Sequence, residues 1–152
     1  MIFIIGTVFI VLIDQASKLF IRQTMDIGNS IPIIKGILHI TYIENMHTAF
    51  GVFKYHSIFF IIAILIILFS AFFVQKRIIF KENQKIYISL LLILGGGIGN
   101  LTDRIIYQGK VIDFIDFRIW PIFNIADIAI VIGTFMLLVY FLFYSKKEEK
   151  KG

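Results

Sequence analysis

The sequence predicts an all-α membrane protein: a four-transmembrane-helix bundle carrying a small extracytoplasmic β-sheet and an extracytoplasmic loop lid. Three observations support this. The 152 residues are 59% hydrophobic and only 16% charged, with a mean hydropathy of +0.90. Three runs without charge have membrane-like length, at 57–74, 86–102 and 128–145. The basic residues are also concentrated in two segments. Soluble domains usually carry about 25% charged residues and roughly 45–50% apolar residues with glycine counted. Here the apolar share leaves out the 11 glycines. A small globule cannot hide that much apolar surface. The composition therefore excludes an ordinary soluble enzyme, a disordered tail and a nucleic-acid-binding domain. With no cysteine, disulfides, thiolate metal sites and a cysteine nucleophile are excluded too.

The chain reads as one integral membrane domain over 1–152. A first helix is expected over about 2–21, with Asp14 and Lys18 admitted near its end. A cleaved signal peptide competes with this reading, but there is no basic leader and Asp14–Lys18 makes a poor cleavage region. Next, Ile33-Ile34, Lys35-Gly36 and Ile37–Ile43 read as two short strands around a turn, within a β region over about 30–50 that would lie on the bilayer. Further helices are expected over about 57–74, 86–104 and 125–145. Segments 75–85 and 146–152 hold eight Lys/Arg, against Lys35, Lys54, Lys110 and Arg118 in the two long connections. Positive-inside bias then puts both termini in the cytoplasm.

On this topology all six aspartates fall at outer helix ends or in outer connections. Asp14 and Lys18 share a helix face at i, i+4, as do Asn100, Asp103 and Arg104 on the third span. Asn124 and Asp127 open the fourth. Polar groups near hydrocarbon are costly and usually face a bundle interior or a wet cavity. Each part also has a plain structural reading. Asp14–Lys18 suits a neutralising ion pair, and Asn124 with Asp127 suits a capping box after Pro121. Gly95, Gly96 and Gly99 suit close helix packing. His39, His47 and His56 match no metal-ligand spacing.

With no thiol, and no serine beside a recognisable base, paired carboxylates are the remaining chemistry. Two close aspartates do not both ionise easily, so one keeps a proton while the other accepts one from water. Such a pair hydrolyses peptide bonds without metal or covalent intermediate, so no cofactor and no metal are expected. The candidates are Asp127 and one of Asp103, Asp113 or Asp116, a choice that spacing leaves open. Two other classes fit the same composition: a small transporter with an acidic outer vestibule, and a non-catalytic scaffold subunit.

Five blocks carry a resemblance across essentially the whole chain: Asp14–Lys18 (DQASK), Asn45–Gly51, Gly95–Arg104 (GGGIGNLTDR), Val111–Phe114 (VIDF) and Phe123–Asp127 (FNIAD). In this order and spacing the chain resembles the bacterial lipoprotein signal peptidases (signal peptidase II), a family of membrane aspartic peptidases. The resemblance implies that Asp113 and Asp127 are catalytic, with Asp116 only a loop acid. It further implies a supporting shell of Asp14, Lys18, Asn45, Asn100, Asp103, Arg104 and Asn124. The implied substrates are diacylglyceryl-modified prolipoproteins, cut before the lipidated cysteine at the outer face of the bacterial cell membrane. Membrane lipid is the other expected partner, nucleic acid is not one, and a monomer is expected. His47 stands where the family pattern N-x-G-x-A-F has glycine, a position that would permit unusual backbone angles.

Overall fold

The computed structural model describes residues 2–46 and 84–143. Three helices and three strands occur among them: α1 (Ile2–Thr24), β1 (Ser30–Ile34), β2 (Leu38–Asn45), α2 (Gln84–Ile106), β3 (Val111–Asp116) and α3 (Ile125–Phe143). The expected span at 57–74, His47, His56 and the far end of the β region fall outside the described residues, so four spans are not counted here. Phe3–Thr24 and Gln84–Ile106 are long and apolar enough to cross a bilayer, and Ile125–Tyr140 is a shorter apolar helix. Much of α1's apolar surface stays exposed: Ile4, Phe9, Leu12 and Phe20 are each about 60% exposed or more. A lipid solvent accounts for such a helix and water does not.

The helices pack through backbone contact. A Cβ at Gly96 would strike the Ala126 carbonyl oxygen, and one at Gly99 would meet the Asp14 carboxylate. Contacts Gly6–Leu91, Gly95–Ile10 and Gly99–Asp14 advance together along α1 and α2, which therefore run parallel. Pairing of Gly96 with Ala126 and Gly133 with Ser89 makes α3 antiparallel to α2. Asn45 lies at the end where α2 finishes, and Gln84 lies at the other, roughly 34 Å away for a 23-residue helix.

The sheet is antiparallel with order β1-β2-β3. It closes that end of the bundle through a cluster of Ile21, Tyr42, Ile112 and Phe114. The β1–β2 turn falls at Lys35-Gly36 as expected, with Gly36 at φ +78 and Ile37 N–H donating to Ile34 O at 2.9 Å. The third strand is a correction, because the sequence reads Asp113 as part of a connection. Five of the six β3 residues are buried, so both faces are covered and no period-two alternation marks the strand. Smaller corrections concern helix ends. α1 runs to Thr24, past the expected 21, and α2 covers 84–106 against the expected 86–104. α2 ends in a Schellman-type closure, with Gln108 at φ 56 and Gly109 N–H donating to Arg104 O at 2.8 Å.

Candidate active site

Lys18 is 1% exposed and sits among three oxygens. Its Nζ lies 2.8 Å from Asp14 Oδ2 and 2.9 Å from Asp103 Oδ2, and donates to Asn100 Oδ1 at 3.0 Å. An ammonium has three protons, so its donors are all used. Asp14 and Asp103 are themselves fully buried. Each also takes a backbone donor from another element: Ala126 N–H to Asp14 Oδ1 at 2.9 Å, and Ile112 N–H to Asp103 Oδ2 at 3.0 Å. One buried charge cluster thus ties α1 to α2, to the start of α3 and to β3. A Cβ at position 99 would meet the Asp14 carboxylate, so glycine there admits the cluster.

Asn100 passes this order outward. Its Oδ1, already held by Lys18, accepts from Asn124 Nδ2 at 3.0 Å, while its Nδ2 donates to Asp127 Oδ1 at 2.8 Å. Asn124 is fully buried and joins the two aspartates. Its Nδ2 donates to Asp113 Oδ1 at 2.7 Å, and its Oδ1 accepts the Asp127 N–H at 2.9 Å. Its own N–H reaches Asp127 Oδ2 at 3.3 Å, completing a reciprocal capping box. The Asn124 side chain thus caps the helix through Oδ1 while its Nδ2 reaches Asp113, and its backbone N–H meets the Asp127 carboxylate. On the sheet side, Asn45 Nδ2 donates to Asp113 Oδ2 at 2.9 Å.

Asp113 is 3% exposed. Burial, with the charge of Asp127 adding to it, pushes its carboxyl up to about 7 against the pull of the Asn45 and Asn124 hydrogen bonds. Arg104 donates to Asn100 O at 3.1 Å and stands within electrostatic range of both aspartates. Asp116 is set apart at the far end of β3. It accepts from Thr41 Oγ1 at 2.8 Å and from Arg118 N–H at 2.7 Å, which outweigh its desolvation and hold its carboxyl below the usual range.

The structure brings together all nine residues singled out from the sequence: Asp14, Lys18, Asn45, Asn100, Asp103, Arg104, Asp113, Asn124 and Asp127. Two contributions were missed. Gln15 Nε2 donates to Asp103 Oδ1 at 2.7 Å and to Gly99 O at 3.1 Å. Its i, i+3 spacing to Lys18 was the available signal. Glu44 accepts from Lys110 Nζ at 2.7 Å beside Asn45, joining the paired ends of β2 and β3. No local pattern links two residues so far apart in the chain.

Comparison with known proteins gives the family and the fold. A family model described as signal peptidase (SPase) II matches residues 6–143. The lipoprotein signal peptidase of Halothermothrix orenii is 39% identical over 149 residues, covering 97% of each chain. That of Clostridioides difficile is 36% identical over 152 residues, covering 98% of this chain and all of the relative. A bacterial membrane enzyme solved by the in meso method at 2.3 Å superposes with a TM-score of 0.81 at 35% identity, covering 92% of this chain and 87% of that one. A second such structure, at 1.9 Å, gives 0.79 at 34% identity, with 94% of both chains covered.

Proposed function

The chain belongs to the signal peptidase II family of membrane aspartic peptidases, and from that premise we propose that Asp113 and Asp127 are its catalytic pair. The enzyme removes signal peptides from lipoproteins. One observation carries the proposed pair: Asn124 holds both carboxylates at once, its Nδ2 donating to Asp113 Oδ1 at 2.7 Å and its backbone N–H to Asp127 Oδ2 at 3.3 Å. Asp103, left open by spacing, is instead engaged by Lys18, Gln15 and the Ile112 N–H.

In the proposed reaction the two carboxyls share one proton. Asp113, the more buried, holds it and donates a hydrogen bond to the scissile carbonyl, while ionised Asp127 takes a proton from the attacking water. The tetrahedral intermediate collapses as the amine leaves with a proton from the pair, restoring the starting state. Lys18, Asp14 and Asp103 are positioning residues, acting through Asn100 and the backbone of Ile112 and Ala126, while Asn100 holds Asp127 directly and Asn124 as well. Asn45 orients Asp113, and Arg104 supplies positive potential. The substrates are diacylglyceryl-modified prolipoproteins, cut before the lipidated cysteine with the acyl chains left in the bilayer. Both termini are cytoplasmic and the site faces outward, in keeping with the basic 75–85 and 146–152 segments and with parallel α1 and α2.

The test is cleavage of a purified, diacylglyceryl-modified prolipoprotein by Asp113→Asn and Asp127→Asn variants. Both are expected to lose activity by at least about a thousandfold while keeping their fold. Normal turnover by either one overturns the assignment.

A further inference from the structure

We propose that Glu44 and Lys110 are a positioning pair for the reaction, fixing the last rungs between β2 and β3 so that the Asn45 amide stays on Asp113. This rests on Asp113 being one of the two reacting carboxyls. Strand register links the two contacts. At the end of the ladder Glu44 lies opposite Ile112, and Asn45 lies opposite Val111. Lys110 is two residues before Ile112, and Asp113 is two residues after Val111, so each contact is a cross-strand diagonal. Such diagonals span roughly 7–8 Å, within reach of long side chains. The salt bridge closes at 2.7 Å and the amide bond at 2.9 Å. Successive strand residues point to opposite faces, so the charged diagonal lies on one face and the Asn45–Asp113 diagonal on the other.

The two diagonals slant in opposite senses. A slide of β2 that carries Glu44 closer to Lys110 draws Asn45 away from Asp113, and the reverse slide opens the salt bridge. Together they resist register movement in either direction. The ladder has need of this, because its register shifts between Ile40 and Ile43 and β2 ends at Asn45.

Both members are anchored to the helices or the core. Lys110 N–H donates to Tyr107 O at 3.2 Å in the closure of α2, and the Arg22 guanidinium of α1 lies 4.6 Å from the Tyr107 ring centre. Glu44 Oε1 accepts from the hydroxyl of Tyr42, a member of the buried cluster, at 3.3 Å. The Lys110 hydrogen bond, with Tyr42 and Arg22 adding to it, outweighs partial desolvation and holds the Glu44 carboxyl below its usual range. The pair therefore stays charged at neutral pH. Partly exposed ion pairs contribute little to stability, so what this one sets is geometry. The Asn45 bond favours the ionised form of Asp113. Asp127 of α3, Lys18 of α1 and Arg104 of α2 also act on that carboxyl and are untouched by changes at Glu44 or Lys110. Without the brace, Asp113 keeps its proton to higher pH.

The test is an infrared titration of the full-length protein in nanodiscs, with carboxyl-labelled aspartate and the Asp113 band identified by its loss in Asp113→Asn. Glu44→Met and Lys110→Met remove opposite charges. A purely through-space effect would move the Asp113 midpoint down without Glu44 and up without Lys110. Loss of the Asn45 bond instead moves it up in both, by roughly half a pH unit. Lys110→Arg keeps the pair and should titrate like the parent. On an Asn45→Ala background the shared upward shift should vanish. Opposite shifts, no shift in either variant, or a shared shift that survives Asn45→Ala would overturn the positioning role. Cleavage of a diacylglyceryl-modified prolipoprotein then places the effect in the reaction, the alkaline limb of kcat moving up in both Met variants. A carboxyl that titrates as expected while that limb stays fixed would keep the coupling and overturn the catalytic assignment of Asp113 instead.

Discussion

Asp14 Oδ1 accepts the backbone N–H of Ala126 at 2.9 Å, joining the first helix to the opening turn of the last across 112 residues. The donor is one of the helix N–H groups that no intrahelical carbonyl can satisfy. The residue after it is Asp127. A buried carboxylate at the far side of the bundle therefore holds the helix start that carries half of the proposed pair.

Replacing Asp14 by alanine removes that bond and one of Lys18's two buried counter-charges. The expected cost is about 3–5 kcal/mol, typical of breaking a buried ion pair. Asp14→Asn keeps the acceptor for Ala126 and leaves Lys18 on Asp103, so it should cost less. Thermal unfolding in detergent measures both, and equal losses would refute the role given to the Ala126 contact.

Asn124 separates capping from chemistry. Asn124→Ser retains a cap for Asp127 N–H but removes the amide that donates to Asp113, so stability should fall by less than about 1 kcal/mol. Activity should fall by at least about a hundredfold. Asn124→Ala loses both functions and should add about 1 kcal/mol of instability. If Asn124→Ser turned over substrate at the normal rate, the bridge to Asp113 would be structural only.

The raised Asp113 carboxyl makes stability depend on pH with a definite sign. Between its ordinary value of 3.8 and about 7 the folded state holds a proton that the unfolded state has released. Stability from this group is full below about 4 and is lost as pH rises through 7, by on the order of 4 kcal/mol in all. Unfolding of Asp113→Asn, compared with the parent between pH 4 and 8, should lack this slope. Activity of the parent should decline as pH passes about 7, where the shared proton leaves.

Gly96 touches the Ala126 carbonyl too closely for any side chain. Gly96→Ala should force α2 and α3 apart at a cost of about 1–3 kcal/mol. It should also lower activity in the folded fraction, because Ala126 neighbours Asp127. Parent-like melting and turnover would mean the helices yield more readily than this contact allows.

Composition alone marked the chain as a membrane protein, because no folding of 59% hydrophobic residues could hide them from water. Helix-period spacing put Asp14 with Lys18, and Asn100 with Asp103 and Arg104, on shared faces. Those positions meet in the structure because i, i+3 and i, i+4 neighbours keep one face whatever surrounds the helix. The Lys35-Gly36 turn was legible for a similar local reason, glycine being the residue that accepts φ +78. β3 was not legible. Its burial comes from the helix ends below and β2 beside it, so its sequence lacks the alternation of a half-exposed strand.

The proposed choice of Asp113, over Asp103 and Asp116, as partner of Asp127 draws on tertiary structure as well. All three fall on the outer side, and spacing treats them alike. In the fold, Lys18, Gln15 and the Ile112 N–H claim Asp103, whereas Asp113 is left with two amide donors and the charge of Asp127. The scarcity of charge, and the helix faces that carry it, are properties of the chain. Which carboxylate is neutralised by a cation and which is left to amide donors depends on neighbours as many as 88 residues away, and only the packing of the helices and the sheet brings those into contact.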